Sequence, residues 1–464
     1  MSKSLKLTLL AVGALALLLG LALSVLIAWR VSTKARLEAA ASNALGMEVK
    51  IRGQATLRFI PSLGVTLGDV HIGSPDAELL AAKQASLGVA LGSLLRGKPR
   101  ISGIVLKHVT ISIEAGKLNF EARAPAKVIE PTDVTLEDAS LVYTDRNGEM
   151  AVHAGPCAVT AGRLQRSASS GGAINYLAAT GELTCEQIRT RNLVMSDVKS
   201  AIDGNAGVFE FKPVTMQAYG GKGAGEVRGD FTGREPAYRV QVTLSKLHIE
   251  QFFESFSHKE PADGVMDFSA NLSMSGKSAD QLKRTSTGEA SLKGANLTLK
   301  IADLDRELSR YDSSQHFTLI DVGAVLVAGP IGLAVTKGYD FARVIDSTGG
   351  SSQVQTLISN WQVEQGVAQA RDVAMATKEN RIALKGGLDF VNGRFQDVTV
   401  ALLDAKGCPK VEQKVGGSFA HPEVLTPNAL NSVTGPARNL VTQAKKVLGV
   451  RCDVFYTGSL AQPH

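Results

Sequence analysis

The chain has 464 residues, with 50 Lys+Arg against 44 Asp+Glu and a net charge of +6. An apolar content of 44% with 20% charged residues excludes a disordered chain, and four Cys are too few for a small disulfide scaffold. The positive surplus is small and no run of five like charges occurs, so nothing in the charge pattern supports nucleic-acid binding.

One stretch is apolar enough to cross a membrane, which excludes a polytopic protein. Leu7 to Trp29 carries no charge over 23 residues, and about 20 helical residues cover a ~30 Å hydrocarbon core. A cleaved signal peptide would have an apolar core of roughly 7–15 residues with small residues just after it. Here the nearest small-residue cluster, Ala39 to Ser42, lies ten residues past Trp29. The expectation is an uncleaved anchor at 7–29 and a cytosolic tail at 1–6. The rest of the chain then lies across the membrane, in a compartment that suits the four Cys.

After the anchor, Arg36 to Leu45 reads as a helix rich in Ala, Leu and Glu, with Gly46 to end it. The period then changes to two. Met47, Val49 and Ile51 alternate with Glu48, Lys50 and Arg52; Val109, Ile111 and Ile113 alternate with His108, Thr110 and Ser112. The same alternation runs through Tyr238–Ser245, with Val240 and Val242 on the apolar side, and through Met266–Met274, with Phe268 and Leu272. Leu297, Leu299 and Ile301 repeat it. Strict alternation means strands with one apolar and one wet face. Asn147-Gly148 and Asn392-Gly393 are hairpin signals between such runs. Short helices are expected at Ile249–Ser257 and Ala302–Tyr311, and a better defined one at Pro436–Leu448. Val322–Thr336 is uncharged but too short to span; it reads as a buried segment or as one touching lipid.

Chemistry is hard to find. The eight His form no HExxH and no pair at metal spacing, no CxxC occurs, and there is no GxSxG elbow. The glycine-rich stretch Gly220–Gly229 lacks the Walker pattern, because Gly223 follows Lys222, and reads as a strand turn with a close backbone approach. No carboxylate pair stands out for acid/base work. The chain is therefore not expected to be an enzyme, and no cofactor, metal site or catalytic residue is assigned. Four Cys allow three pairings. The nearest-neighbour one, Cys157 with Cys185 and Cys408 with Cys452, is the simplest; free buried thiols are the alternative.

Several stretches carry a resemblance. The anchor followed by ASNALGMEVKIRGQATLRFIPSLGVTLGDVHIG (41–73) resembles the N-terminal region of the AsmA family, as does LLRGKPRISGIVLKHVTISIE (94–114). GVFEFKPVTMQAYGGKGAGEVRGDF (207–231) is similar to that family's strand-YGG-strand element, and residues from Gly288 onward are similar to the C-terminal region of a subgroup. The resemblance implies a bacterial inner-membrane protein projecting into the periplasm. It also implies a mainly β fold, in which an N-terminal transmembrane helix is followed by an elongated, curled antiparallel sheet with a few short helices. Such a sheet belongs to the bridge-like lipid-transfer class. The expected division is a β-groove domain at 30–300 and a C-terminal domain at 301–464.

Alternation by itself does not separate a groove from a sandwich or a barrel; the groove rests on the resemblance. On that reading the apolar strand faces, with Val49, Ile51, Val109, Ile111, Ile113, Val240, Val242, Phe268, Leu272, Leu297 and Leu299, line a path for phospholipid acyl chains toward the outer membrane. The partners expected are phospholipid, the inner membrane and other envelope components, with no nucleic acid. A scaffold or assembly factor for outer-membrane proteins, without lipid cargo, is the second reading.

Overall fold

The structure is a computed structural model. It describes residues 34–39, 41–43, 47–58, 64–74, 77–89, 101–114, 132–144, 150–166, 177–190, 193–254, 262–300, 303, 305–306, 350–419, 421–425 and 452–461. The expected anchor at 7–29, the segment Val322–Thr336, the Asn147-Gly148 turn, the helix at Pro436–Leu448 and most of Ala302–Tyr311 lie outside them. Among the described residues no helix is long and apolar enough to cross a membrane.

The described chain is mainly β, with 21 strands and few helices. It divides into two compact units, one of Met1–Glu186 with Ile202–Gly207 and one of Gln187–Ala201 with Val208–His464. β15 (Thr287–Leu299) and β16 (Ser352–Glu364) are antiparallel neighbours.

In the first unit, β1 (Glu48–Ile51) and β2 (Ala55–Arg58) both pair with β3 (Gly64–Ser74). The ladder continues through β4 (Ala77–Val89), β5 (Ile101–Glu114), β6 (Thr132–Thr144) and β7 (Met150–Arg166). β8 (Leu177–Thr190) lies beside β7, held by the Cys157–Cys185 disulfide and by Thr180 Oγ1 donating to the Gly162 carbonyl at 3.4 Å. One pairing departs from the antiparallel expectation: β5 and β6 run parallel. The connection 115–131 is long enough for the crossover a parallel pair requires, about a dozen residues or more.

β9 (Val194–Asn205), whose residues up to Ala201 belong to the second unit, pairs with β10 (Val208–Ala218). The antiparallel ladder then runs β11 (Gly221–Asp230), β12 (Ala237–His248), β14 (Val265–Ser275), β15, β16, β17 (Val367–Ala376), β18 (Arg381–Asp389), β19 (Arg394–Leu403), β20 (Pro409–Gly417) and β21 (Pro422–Leu425). The two-residue β13 (Ala262–Asp263) pairs with β15. Helix α1 (Ile249–Glu254) follows β12, and helix α2 (Ala279–Thr285), capped by Ser278, follows β14.

The Asn392-Gly393 signal is a turn between β18 and β19. Asp389 ties it by accepting from the amides of Val391 and Asn392 and from Asn392 Nδ2. Burial raises the Asp389 carboxyl, but these bonds and Arg394 outweigh it and hold the group below its usual range. Gly393 has φ 65° there, a value that favours glycine.

Many strands carry one left-handed residue in mid-course. Asp69, His108 and Asp138 do so in β3, β5 and β6 of the first unit; Lys246, Asn296 and Asp397 do so in β12, β15 and β19 of the second. At Asp138, Lys246 and Asp397 the register to a neighbouring strand shifts, which marks a bulge, whereas across His108 the pairing keeps register on both sides. In each strand the left-handed residue reverses the period-two phase, so apolar residues of both parities share one face. In β5, Leu106 before His108 and Val109 after it both turn inward. In β12, Leu244 and Leu247 do the same, both buried. Lys246 N–H donates to Asp267 Oδ1 at 2.9 Å, which fixes the bulge in place.

Candidate functional site: the apolar strand face

The registers assemble the apolar residues into rows across the strands. In the first unit, Ile51 faces Val70, which faces Ala82, then Val109, Ala139 and Cys157. All six are buried. The next row, Val49, Ile72, Leu80, Ile111, Leu141 and Ala154, starts and ends buried and is half-buried between. Ile113 and Tyr143 continue the half-buried surface.

In the second unit one row runs Val214, Gly225, Val242, Ala270, Ala290, Trp361 and Ala370. A second runs Phe211, Val227, Val240, Leu272, Gly288, Val363 and Ala368. Burial grows along both. From β10 to β14 the side chains are half-buried, whereas Trp361, Val363 and Ala368 are buried in a core shared with Leu292, Leu297, Leu299, Met375 and Ile382.

The expected lipid-facing residues therefore divide in two. Val49, Ile51, Val109, Leu297 and Leu299 sit in the protein's own cores. Ile111, Ile113, Val240, Val242, Phe268 and Leu272 are half-buried, with Phe268 and Leu272 packed against the edge of the core. Residues that alternation alone did not single out complete the face: Phe211, Val214 and Val227. β10 hides its pattern because Lys212-Pro213 interrupts it and shifts the register between Phe211 and Val214.

Two glycines shape this surface. At Gly288 the backbone has φ 138° and a Cβ would lie 2.0 Å from the Asn271 carbonyl oxygen; at Gly225 a Cβ would meet the Gln241 carbonyl at 2.2 Å. Both leave a gap in the apolar rows beside Val240, Val242 and Leu272. The Gly220–Gly229 stretch is accordingly a turn and a strand and not a phosphate loop.

The reverse face of the same strands is polar. Arg239, Gln241, Asn271, Ser273, Glu289 and Gln362 line a shallow depression of about 280 Å³ there. One end of the apolar rows carries an edge-to-face aromatic series, Phe209, Phe231 and Tyr238, with centroids 6.1 and 5.9 Å apart. Burial pushes the Tyr238 phenol up. Near the other end α1 places Ile249, Phe252 and Phe253 into the core, with Tyr219 edge-on to Phe252 at 5.2 Å. Burial raises the Glu250 carboxyl, but hydrogen bonds from its own backbone, His248 and the Gly264 amide hold it below its usual range.

The model of the AsmA family matches residues 1–128 and 175–373. The chain belongs to the AsmA family. The two matched stretches contain every one of the expected face residues and both rows of the second unit up to β17. The AsmA match stops short of β18–β21 and the C-terminal segment with Cys452. Among curated proteins, none matches this AsmA chain.

On β16–β19, of which β18 and β19 lie beyond that match, the second face is covered as well. The segment 452–461 lies over Ala374, Ala383 and Ala401 with Tyr456 and Leu460, and the Cys408–Cys452 disulfide clips it down. Arg381 donates to the carbonyls of Leu460 and Asp404 at 3.2 and 3.3 Å. Among the described residues, no group of His, Cys, Asp or Glu converges as metal ligands would.

Proposed function

We propose that the half-buried apolar rows hold phospholipid acyl chains, and that the chain is a membrane-anchored, non-enzymatic lipid carrier serving the cell envelope. The observation that carries this reading is the contrast along β10 to β14. Val227, Val240, Val242 and Leu272 share one face in register, yet are only partly buried, while Arg239, Gln241 and Asn271 occupy the other. Exposed contiguous apolar surface is uncommon on a soluble protein and marks a binding surface. A wall of aliphatic side chains with no converging polar groups suits hydrocarbon and little else. Membership in the AsmA family is consistent with an envelope or lipid-related role. The uncharged run at 7–29 would hold the carrier at the inner membrane with its bulk in the periplasm, and would direct cargo toward the outer membrane.

The test follows the alternation. A photo-crosslinking residue placed at 240, 242 or 272 in cells is expected to capture phospholipid, whereas one at 239, 241 or 271 is not. Equal capture at both sets, or capture of unfolded outer-membrane protein in place of lipid, would refute the reading.

A further inference from the structure

The first strand of the sheet is not left with an open edge. β1 pairs with β3 on one side, and its outward amides meet the helical residues 34–39 and 41–43. Ile51 N–H donates to Glu38 Oε1 at 2.7 Å and Val49 N–H donates to Ser42 Oγ at 2.9 Å. One step further, Lys34 Nζ donates to the Gly53 carbonyl at 3.5 Å. The helix contributes every fourth residue, Lys34, Glu38 and Ser42; the strand contributes every second, Gly53, Ile51 and Val49, in the opposite direction. The two spacings agree, because four helical residues rise about 6 Å and two strand residues about 6.7 Å. Leu37 and Ala41 pack on the same apolar cluster as Val49, Ile51 and Leu67. The result is a three-rung ladder between side chains and a strand edge.

We infer that Glu38 and Ser42 are positioning residues that couple the segment leaving the membrane to the first apolar strand, and so make the β1 end the place where lipid passes from the membrane surface onto the protein. The inference rests on the carrier reading above. Only residues 30–33 separate Trp29, the end of the uncharged run, from Lys34. The five Cα–Cα steps from Trp29 to Lys34 reach at most about 18 Å, and the headgroup layer on each side of the hydrocarbon is about 5–8 Å thick. A ladder that starts at Lys34 therefore keeps its Gly53 rung within that reach of the hydrocarbon edge, with Val49 about 12 Å further along. The half-buried row of Ile72, Leu80 and Ile111 begins there, next to buried Val49. The two short bonds fix the orientation of that row; without them only the long Lys34 contact and the packing of Leu37 and Ala41 would join the tether to the sheet.

The full chain is reconstituted in vesicles of phosphatidylethanolamine and phosphatidylglycerol, and three quantities are read: amide exchange at Val49 and Ile51, lipid retained on the purified protein, and the rate of lipid transfer to acceptor vesicles. Glu38→Ala with Ser42→Ala is expected to expose both amides, leave the retained lipid at the wild-type amount, and slow transfer about tenfold or more, as two lost hydrogen bonds would. Glu38→Gln with Ser42→Thr keeps both acceptors and is expected to restore the rate, which separates the bond from the charge. A six-residue Gly/Ser insertion between Thr33 and Lys34 is expected to slow transfer while both amides stay protected. Transfer at the wild-type rate in the double alanine variant overturns the inference, as does continued protection of both amides in it. A wild-type protein that neither retains nor moves lipid overturns the carrier reading and this one with it. A lipid-bearing wild type indifferent to the double substitution overturns this one alone.

Discussion

Tyr456→Phe is expected to loosen the C-terminal segment and to erase one alkaline transition. Tyr456 is buried against Ala374, Ala383 and Ala401, and its hydroxyl donates to Asp372 Oδ1 while accepting from the Leu460 amide at 3.1 Å. Burial first, and the Asp372 bond second, push the phenol up to about 12. The substitution keeps the ring and its packing. It leaves the Leu460 amide without an acceptor, while Asp372 keeps the Ser459 amide and hydroxyl at 3.1 and 2.6 Å. One orphaned buried donor costs about 1–3 kcal/mol. The phenol is raised above its ordinary value of 10.0, so its contribution is complete below pH 10 and is lost as pH rises through 10 to about 12. The assay is amide exchange across 452–461, with thermal unfolding alongside, at about pH 8 and about pH 11. The wild type is expected to lose protection at the higher pH. The Phe variant is expected to start lower and to show less further loss. An unchanged alkaline loss in the variant, or full protection at the lower pH, would refute this account of the segment.

Leu299→Asp and Val242→Asp are expected to differ in kind. Leu299 is fully buried, and an unpaired charge there costs several kcal/mol and unfolds the unit, seen as lost abundance and a vanished unfolding transition. Val242→Asp stays folded because its side chain can reach water, yet loses bound lipid; equal instability of the two would remove the distinction between core and face. Gly288→Ala is expected to destabilise by more than about 2 kcal/mol, because both the positive φ and the Asn271 carbonyl oppose a Cβ. Denaturant unfolding measures it, and a neutral result would mean the strand relaxes freely.

The sequence made β12 and β14 legible because Tyr238 to Leu244 and Met266 to Met274 keep one phase throughout. In β5 only the stretch from His108 to Ile113 reads cleanly, since the left-handed backbone at His108 reverses the phase and makes Ile104 and Leu106 look out of step with Val109. The same reversal at Asn296 divides β15, and β16 was passed over because apolar residues of both parities, such as Leu357 and Ile358, blur its alternation. Left-handed Asp, Asn, His and Lys carry no reliable local mark. Parallel pairing of β5 with β6 depends on a connection, not on the strands. The helical residues 34–39 and 41–43 fall in or beside Arg36–Leu45, where composition points to a helix, but their ladder to β1 joins residues at two different periods and has no signature in either. The C-terminal segment has no periodicity at all; only Cys452 hinted that it is tied down.

The most direct test of the carrier reading is lipid analysis by mass spectrometry of the full chain purified from membranes in mild detergent, with a detergent-matched unrelated single-span protein as control. The account predicts phospholipid retained in excess of the control, and its loss in Val242→Asp and Leu272→Asp proteins that still fold. Lipid no greater than in the control, or retained unchanged by both folded variants, would contradict it.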